Sequence, residues 1–462
     1  IEQACSLTCR QRQQTRERIE RCDPRQLAHV ALHQGLDVVA VPGCTPARCR
    51  SGQCSGVSTR CDARSQFLPE PPVAACLEAA GEQSGNGAPA KLGLVHDTLS
   101  RAKKQQTVFE KVSSEYADFK TRMEDEHGLT WSFSLSYRQR WVRPDNIGTA
   151  SQTLFWPTLN WDIFDSETYG SGSFQFLYYG ERRSGSTVKL SRGSRTLSAE
   201  LPDYQNKFSQ ITYTHTLPGE KLSLAVGQYS FFNFDSSEFM ADQQLNFVNN
   251  IFSANGSATY PTTGIGAYLQ FNATKALQFL AGGQSFNEDD TSKRPGNGLG
   301  NNPNAWLGYV QWTPGFKGLG DAQYSLTLYQ VPTTSELPQS RGWSINAVQH
   351  LNDQWAIFGR LNASSDDGGG NKRSYGAGLA VNNPLGRNQA DQIGVAFGSL
   401  EQTKPLFLQT LKHTQNTLEA YWNWSLIDGL LLTPDAQYIR NPAFAPNSDS
   451  AWILSIRTTL VF

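Results

Sequence analysis

No cysteine follows Cys76, and methionine occurs only twice in 462 residues. Nowhere does the chain approach the ~18 consecutive apolar residues that a membrane-spanning helix needs. Lysine is missing from residues 1–76. Neither sign of charge is in excess, since 40 Lys and Arg stand against 41 Asp and Glu, a formal net charge of -1. Each absence excludes something. Balanced charge argues against nucleic acid as a partner, because that role needs a basic surface. The seven His and scattered carboxylates show no metal or triad spacing, and no phosphate-binding Gly loop follows a strand. No catalytic constellation, metal or cofactor is expected. The chain opens on Ile1 without a basic-then-apolar leader, as expected of a mature chain after signal removal. A mean hydropathy of -0.46 does not make the chain soluble, because transmembrane strands hide apolar residues at alternate positions.

What is present is distributed unevenly. All eight cysteines, Cys5, Cys9, Cys22, Cys44, Cys49, Cys54, Cys61 and Cys76, fall in the first sixth of the sequence. An even count in a loop-rich segment reads as a disulfide framework in an oxidising compartment such as the periplasm. The rival is zinc, whose Cys pairs stand two to four residues apart; Cys44, Cys49 and Cys54 are spaced slightly too widely for it. The segment is Arg-rich (Arg10, Arg12, Arg16, Arg18, Arg21, Arg25). It is either a stapled domain with a charged surface or a dock for cell-wall polymer or a periplasmic partner. Gly81, Gly85, Gly87 and Pro89 then mark a linker over 77–91.

From Leu92 the pattern is helical. Val95, Ala102, Phe109, Tyr116 and Met123 recur every seventh residue, with Val112 and Phe119 between them and an interruption at Gln105. This stripe predicts a helix over 92–127 ended at His127-Gly128. It serves either as a self-associating coiled coil, trimeric if the barrels are, or as an amphipathic helix on the Cys-rich module or at a barrel mouth.

At Leu129 the period becomes two. Trp131, Phe133, Leu135 and Tyr137 alternate with Ser132, Ser134, Ser136, Arg138 and Arg140. The last stretch repeats this: Trp452, Leu454, Ile456, Leu460 and Phe462 against Ser455, Arg457 and Thr459. Between them lie further strands, about sixteen in all, each long enough to cross a bilayer when tilted. Tight turns at 217–220, 272–274, 351–353 and 427–429 alternate with long polar connections at 183–205, 233–262, 287–303, 332–340, 364–373, 401–414 and 440–449. A soluble sandwich has no reason to alternate so; outer-membrane barrels place short turns in the periplasm and long loops outside. The predicted fold is therefore an all-β transmembrane barrel of about sixteen antiparallel strands over 128–462. A helical, disulfide-rich periplasmic extension precedes it. Trp156, Trp161, Trp306, Trp312, Trp343, Trp355, Trp422, Trp424 and Trp452 fall near strand ends or on outward faces, as interfacial girdles.

If the apolar faces meet lipid, the others line the lumen. Alternation points Arg138, Arg140, Asp162, Arg360, Glu419, Asp435 and Arg457 inward, because Arg or Lys on the lipid face costs ~2–4 kcal/mol at the midplane. They either hydrogen-bond a solute or bridge one another and stiffen the wall. Tyr229, Tyr329 and Tyr421 fall on the same inner face, with rings suited to stacking. The connection 233–262 is too apolar for a free external loop: Phe234, Asp235, Glu238, Asp242, Asn246 and Phe247 sit in a run that also holds Phe239, Met240 and Leu245. It is expected to fold inward and narrow the lumen, with a short helix around 240–250, or else to pack over the rim or at a subunit contact.

The run from Phe234-Asp235 through Gln244-Leu245-Asn246-Phe247, with Asn249-Asn250, Tyr260-Pro261 and Gly264-Ile265-Gly266-Ala267, resembles the carbohydrate-selective porins of Gram-negative outer membranes (OprB-type). Leu432-Thr433-Pro434-Asp435-Ala436-Gln437-Tyr438-Ile439, Asn441-Pro442 and the Trp452-to-Phe462 strand are similar to that family's closing hairpin. The resemblance covers roughly 128–462 and implies a 16-stranded barrel passing sugars by diffusion, with an Arg-bearing constriction. The Cys-rich module and the heptad helix depart from it. A structural anchor tying the outer membrane to cell wall or a periplasmic assembly is the alternative, and an enzyme on a barrel scaffold is a third reading.

Overall fold

The computed structural model describes residues 114–143, 148–185, 207–257, 263–285, 304–333, 339–365, 371–402, 414–427, 429–442, 445 and 447–462. The expectations for the Cys-rich module, the linker and the first part of the heptad helix lie outside the described residues.

Helix α1 (Ser114–His127) leads into sixteen strands: β1 (Leu129–Arg143), β2 (Gly148–Ser166), β3 (Gly170–Gly185), β4 (Lys207–Thr216), β5 (Leu222–Tyr229), β6 (Gly264–Asn272), β7 (Leu277–Ser285) and β8 (Asn304–Trp312), then β9 (Ala322–Val331), β10 (Ser340–His350), β11 (Trp355–Ser364), β12 (Asn371–Asn382), β13 (Gln392–Gln402), β14 (Thr414–Ile427), β15 (Leu430–Arg440) and β16 (Ser450–Val461). Each pairs antiparallel with its sequence neighbours, and β1 pairs with β16, closing the barrel. Closure removes the open sheet edges, so the strands' backbone groups pair with neighbouring strands instead of facing lipid. The chain end completes the seam, with Phe462 N donating to Phe133 O (3.0 Å) and Phe133 N to Phe462 O (2.7 Å).

Alternation sets the two faces. On β16, Trp452, Leu454 and Ile456 are exposed outward while Ser455, Arg457 and Thr459 are buried inward. Exposed tryptophans form two belts, as amphipathic rings do at the two water interfaces of a bilayer. Trp161, Trp312, Trp355 and Trp424 lie towards the rim that carries the start of β1 and the end of β16, the terminal rim. Trp141, Trp306, Trp343 and Trp452 lie towards the opposite rim.

The connections follow the expected alternation with three departures. On the terminal rim, 167–169, 217–221, 273–276, 351–354 and 428–429 are short, but 313–321 and 383–391 are longer. Each longer one is held by its own contacts: a Gly315–Asp321 bridge in the first, and Arg387 Nη2 to Asp391 Oδ1 (2.7 Å) in the second. On the opposite rim 144–147 is short.

Gly128 decides where α1 goes. Its φ of 63° is a left-handed helix stop, and its N–H closes on Glu124 O (2.9 Å). Its carbonyl accepts from Asp162 N (2.8 Å). A Cβ at Gly128 would overlap the Asp162 carbonyl oxygen. The reversal lays α1 against the outward face of β1. Trp131 Nε1 donates to Tyr116 Oη (3.1 Å), and the Phe119 and Trp131 rings lie 5.8 Å apart. The second half of the heptad stripe thus has an intramolecular partner on the barrel's outer face, a placement the sequence reading did not offer.

Candidate functional site

The connection from β5 to β6 has no strand to pair with, yet its backbone donors and acceptors need partners once they leave water. The inner wall supplies them. Described over 230–257, this segment contains a 3₁₀ turn (Phe231–Asn233) and a one-turn helix α2 (Asn250–Ser253), capped by the Asn249 side chain on Ile251 N (3.1 Å). The expected helix around 240–250 is therefore shorter and begins where Asn249 can cap it.

Two apolar clusters seat the segment. Phe231 and Phe234 pack with Tyr229, Tyr268, Tyr309 and Tyr329 on β5 to β9. Phe239, Met240, Phe247 and Phe252 pack with Phe358, Ala380, Ala396 and Tyr421 on β11 to β14. Glycines make room for the rings: a Cβ at Gly376 would meet Phe252 Cδ1 at 3.0 Å, and one at Gly398 would meet Phe252 Cε1 at 2.9 Å.

Buried charges of the wall bind the segment's backbone. Arg360 on β11 donates through Nη2 to Asp235 O (2.9 Å) and Met240 O (2.7 Å), and through Nη1 to Phe252 O (3.2 Å). Its Nε donates to Asn346 Oδ1 (2.6 Å). Ser344 Oγ and Asn346 Nδ2 both donate to Asp235 Oδ1 at 2.8 Å. Arg457 on β16 donates through Nη1 to Gln243 O (2.7 Å) and Asn246 O (2.9 Å). Glu419 on β14 accepts from Val248 N and from Asn249 N (2.9 Å). A guanidinium suits carbonyls and a carboxylate suits amides, so the donor and acceptor chemistry of wall and segment is matched. Near the terminal rim, Glu238 Oε2 of the segment meets His350 Nε2 at 2.7 Å. Both border a cavity of about 930 Å³ that Asp321, Asp353, Gln392 and Asn423 also line.

This architecture of a closed barrel with an inward-folded segment coincides with a family match. The model for the carbohydrate-selective porin, OprB family, matches residues 165–462. The chain belongs to that family. Porin AaxA of Chlamydia felis is similar to it, with 33% identity over 340 residues covering 72% of this chain and 71% of that protein. Porin AaxA of Chlamydia pneumoniae is 30% identical over 344 residues, covering 71% and 78%. The high-pH structure of Pseudomonas putida OprB superposes with a TM-score of 0.64, covering 75% of this chain and 97% of that one, and at 14% identity it speaks for the fold alone. The protein is an outer-membrane porin, and porins of this kind are in general channels rather than enzymes. These comparisons lend no support to a structural anchor.

In this porin the wall charges divide by task. Arg360, Arg457 and Glu419 lie buried on the inner face, and the segment's backbone takes them, so they are anchors rather than a bare lining. Asp435 accepts from Gln437 Nε2 (3.2 Å) and Ser455 Oγ (3.1 Å). Arg138 and Arg140 are buried on the inner face of β1, and Arg138 Nη2 donates to Gln152 Oε1. Asp162 lies on the same face as buried Asn160, exposed at the terminal-rim end of β2 where the β2–β3 register shifts, and takes a bond from Asn160 Nδ2 (2.9 Å).

The tyrosines are engaged too. Tyr229 Oη donates to Ala267 O (3.2 Å) and Gly283 O (2.9 Å), and Tyr329 Oη to Ser257 O (3.4 Å). Tyr421 Oη donates to Gln392 Oε1 (2.6 Å), and its ring meets Phe247 edge-on at 4.8 Å. None of the three presents a bare face for stacking. Of the remaining segment residues, Asp242 Oδ1 accepts from Gln244 N (2.7 Å) and Asn246 Nδ2 donates to Tyr421 Oη (3.2 Å). Sequence reading missed Trp156. Taken as an outward girdle residue, it stands opposite inward Ser134 and packs on Tyr179 at 5.4 Å between ring centroids. The signal was available: Trp156 shares even numbering on one strand with Asp162, which the same alternation had turned inward.

Proposed function

We propose that this porin lets carbohydrates and other small polar solutes diffuse passively across the outer membrane. The observation that carries the reading is an asymmetry of the lumen. The segment 230–257 is bound to the inner faces of β9 to β16 through Arg360, Glu419 and Arg457. The inner faces of β1 to β4 carry the uncharged polar side chains Ser132, Ser136, Thr158, Asn160, Gln175 and Thr212, and the segment reaches this wall at Ser134 and Gln210. Hydroxyls and amides both donate and accept, so such a wall exchanges hydrogen bonds with a sugar's hydroxyls without demanding charge. Sixteen strands are wide enough for an aqueous channel, and an inward segment narrows it to solute size. The family's description as carbohydrate-selective supports the same cargo. In this reading the terminal rim faces the periplasm and residues 1–91 extend into it.

The test is planar-bilayer recording together with liposome swelling, using glucose, glucose oligomers and equally small charged solutes. Open-channel current that falls with added sugar, and sugar-driven swelling, are the expected results. Ion conduction that no sugar blocks, with swelling only by charged solutes, would overturn the cargo.

A further inference from the structure

The inward segment accounts for charge inside the barrel but not for charge on the outer wall. On the lipid side of the described strands the arginines are Arg143, Arg182, Arg341, Arg373 and Arg440, all exposed. All five stand at strand ends on the rim opposite the terminal rim. Among the described residues, the terminal-rim strand ends carry neither Arg nor Lys on this face. A long cation near the interface is tolerated because its head can reach water. That tolerance applies equally at both rims, so it does not explain why one rim has all five.

Four of the five repeat a short pattern. Each stands two residues rimward of an outward aromatic: Arg143 beyond Trp141, Arg341 beyond Trp343, Arg373 beyond Tyr375 and Arg440 beyond Tyr438. Residues two apart share one face of a strand, about 7 Å from each other. The register gathers the four into pairs. Arg143 faces Trp452 on β16, and Trp452 faces Tyr438 on β15, so Arg440 lies two strands away and two residues nearer the rim. Arg373 faces Ala363 on β11, and Ala363 faces Trp343 on β10, so Arg341 bears the same relation to Arg373. Both pairs run in the same direction around the barrel. Strand spacing and rise put the two Cα atoms of each pair about 12 Å apart. The Tyr438 and Trp452 rings, 5.0 Å between centroids, floor the first pair. Glu401 faces Arg373 across β12 and β13, and Asp449 lies in the connection after Arg440. Each pair therefore keeps a net positive charge.

We infer that Arg143 with Arg440, and Arg341 with Arg373, form two sites for a phosphorylated glycolipid of the outer leaflet. A guanidinium is a planar fork that takes phosphate oxygens two at a time, which a lysine cannot match. Each arginine takes one phosphate of the headgroup, and the aromatic two residues deeper packs on the sugar and the first methylenes of the acyl chains. The partner is a lipid and not a free anion, because the rings beneath the charges lie on the face that meets hydrocarbon. This rests on the orientation proposed above, with this rim outside, and not on the cargo.

The experiment counts lipids bound to the full chain in detergent by native mass spectrometry. The probes are a bisphosphorylated disaccharide lipid (lipid A), the same lipid stripped of phosphate, and phosphatidylglycerol. Resistance of the folded band to SDS without heating shows that each variant is assembled. Expected are two tightly held copies of the bisphosphorylated lipid on the parent and on Arg182→Gln, an arginine with neither the aromatic nor the partner. Arg143→Gln with Arg440→Gln keeps one copy, as does Arg341→Gln with Arg373→Gln. All four substitutions together weaken binding about tenfold or more, as loss of charge-assisted bonds implies. Equal binding of the phosphorylated and stripped lipids, or a fourfold variant that binds like the parent, would overturn the sites. Phosphatidylglycerol held as tightly as the glycolipid would overturn the assignment to the outer leaflet. An epitope inserted in the connection 286–303 reports the orientation separately. Antibody that binds it on intact cells supports the outward rim. Antibody that binds only after the outer membrane is opened would overturn the orientation, and with it the source of the lipid, whatever the detergent titration gives.

Discussion

Arg138 of β1 and Arg457 of β16 stand directly opposite each other where the barrel closes, both buried on its inner face. Like charges in facing positions of a sheet repel, and here they are held by divergent acceptors. Arg457 turns to the carbonyls of Gln243 and Asn246, and Arg138 turns to Gln152. The seam is therefore fastened from two sides, by the inward segment and by the β2 wall.

From this division the two arginines are expected to fail differently. Arg457→Ala leaves the buried carbonyls of Gln243 and Asn246 without their charged donor, at about 1–3 kcal/mol for an unsatisfied buried acceptor. The expected readout is raised open-channel conductance and noise together with a lower unfolding temperature in detergent. Arg138→Ala removes a like-charged neighbour and loses one bond to Gln152. It should leave the unfolding temperature closer to the parent while shifting ion selectivity towards cations. Equal behaviour of the two variants in both measurements would contradict the assignment of Arg457 as an anchor.

Glu419→Gln tests the acceptor side of the same attachment. The carboxylate takes two backbone N–H groups, Val248 and Asn249. An amide has one oxygen to offer and turns its NH2 towards the other donor. The cost is about 1–3 kcal/mol, typical of an unsatisfied buried donor. The expected result is faster flicker of the open channel and faster proteolytic cutting within 230–257, with the barrel itself still assembled. Unchanged flicker would mean that the segment does not depend on this contact.

How much of this was legible beforehand follows from which interactions have a period. Outward and inward faces repeat every second residue, so β1 to β16 and the direction of Arg360, Glu419 and Arg457 could be read from alternation alone. What those residues touch could not, because their partners are backbone carbonyls and amides of a segment more than a hundred residues away in sequence. Such bonds leave no trace in side-chain chemistry. Tyr229 and Tyr329 looked available for the same reason, their hydroxyls being bonded to backbone oxygens of Ala267, Gly283 and Ser257. Trp156 was misplaced by residue type: tryptophan suggested an interface where parity said otherwise.

Gly128→Ala tests the junction that sets α1 on the outer wall. The substitution puts a Cβ against the Asp162 carbonyl oxygen and strains a left-handed backbone. Strain of that kind costs on the order of 1–3 kcal/mol. It is expected to free α1 from Trp131, seen as faster hydrogen exchange over Ser114–His127, while the β16-to-β1 seam exchanges as slowly as in the parent. Exchange that rises equally in helix and seam would show that α1 is part of barrel closure rather than an addition to it.

The outward face is tested at Leu454. It is exposed on β16 between Trp452 and Ile456, which are exposed on the same side. An arginine there in the middle of a lipid-facing strand costs about 2–4 kcal/mol, because a charge leaves water for hydrocarbon. An alanine removes apolar contact without introducing charge. Leu454→Arg is therefore expected to lower the urea midpoint for unfolding from phosphatidylcholine bilayers well below that of Leu454→Ala, which stays near the parent. The same arginine is tolerated better in detergent micelles, where water reaches the strand more easily. If Leu454→Arg and Leu454→Ala unfold at the same urea concentration from bilayers, this face does not meet hydrocarbon, and the inward placement of Arg360 and Arg457 loses its physical reason.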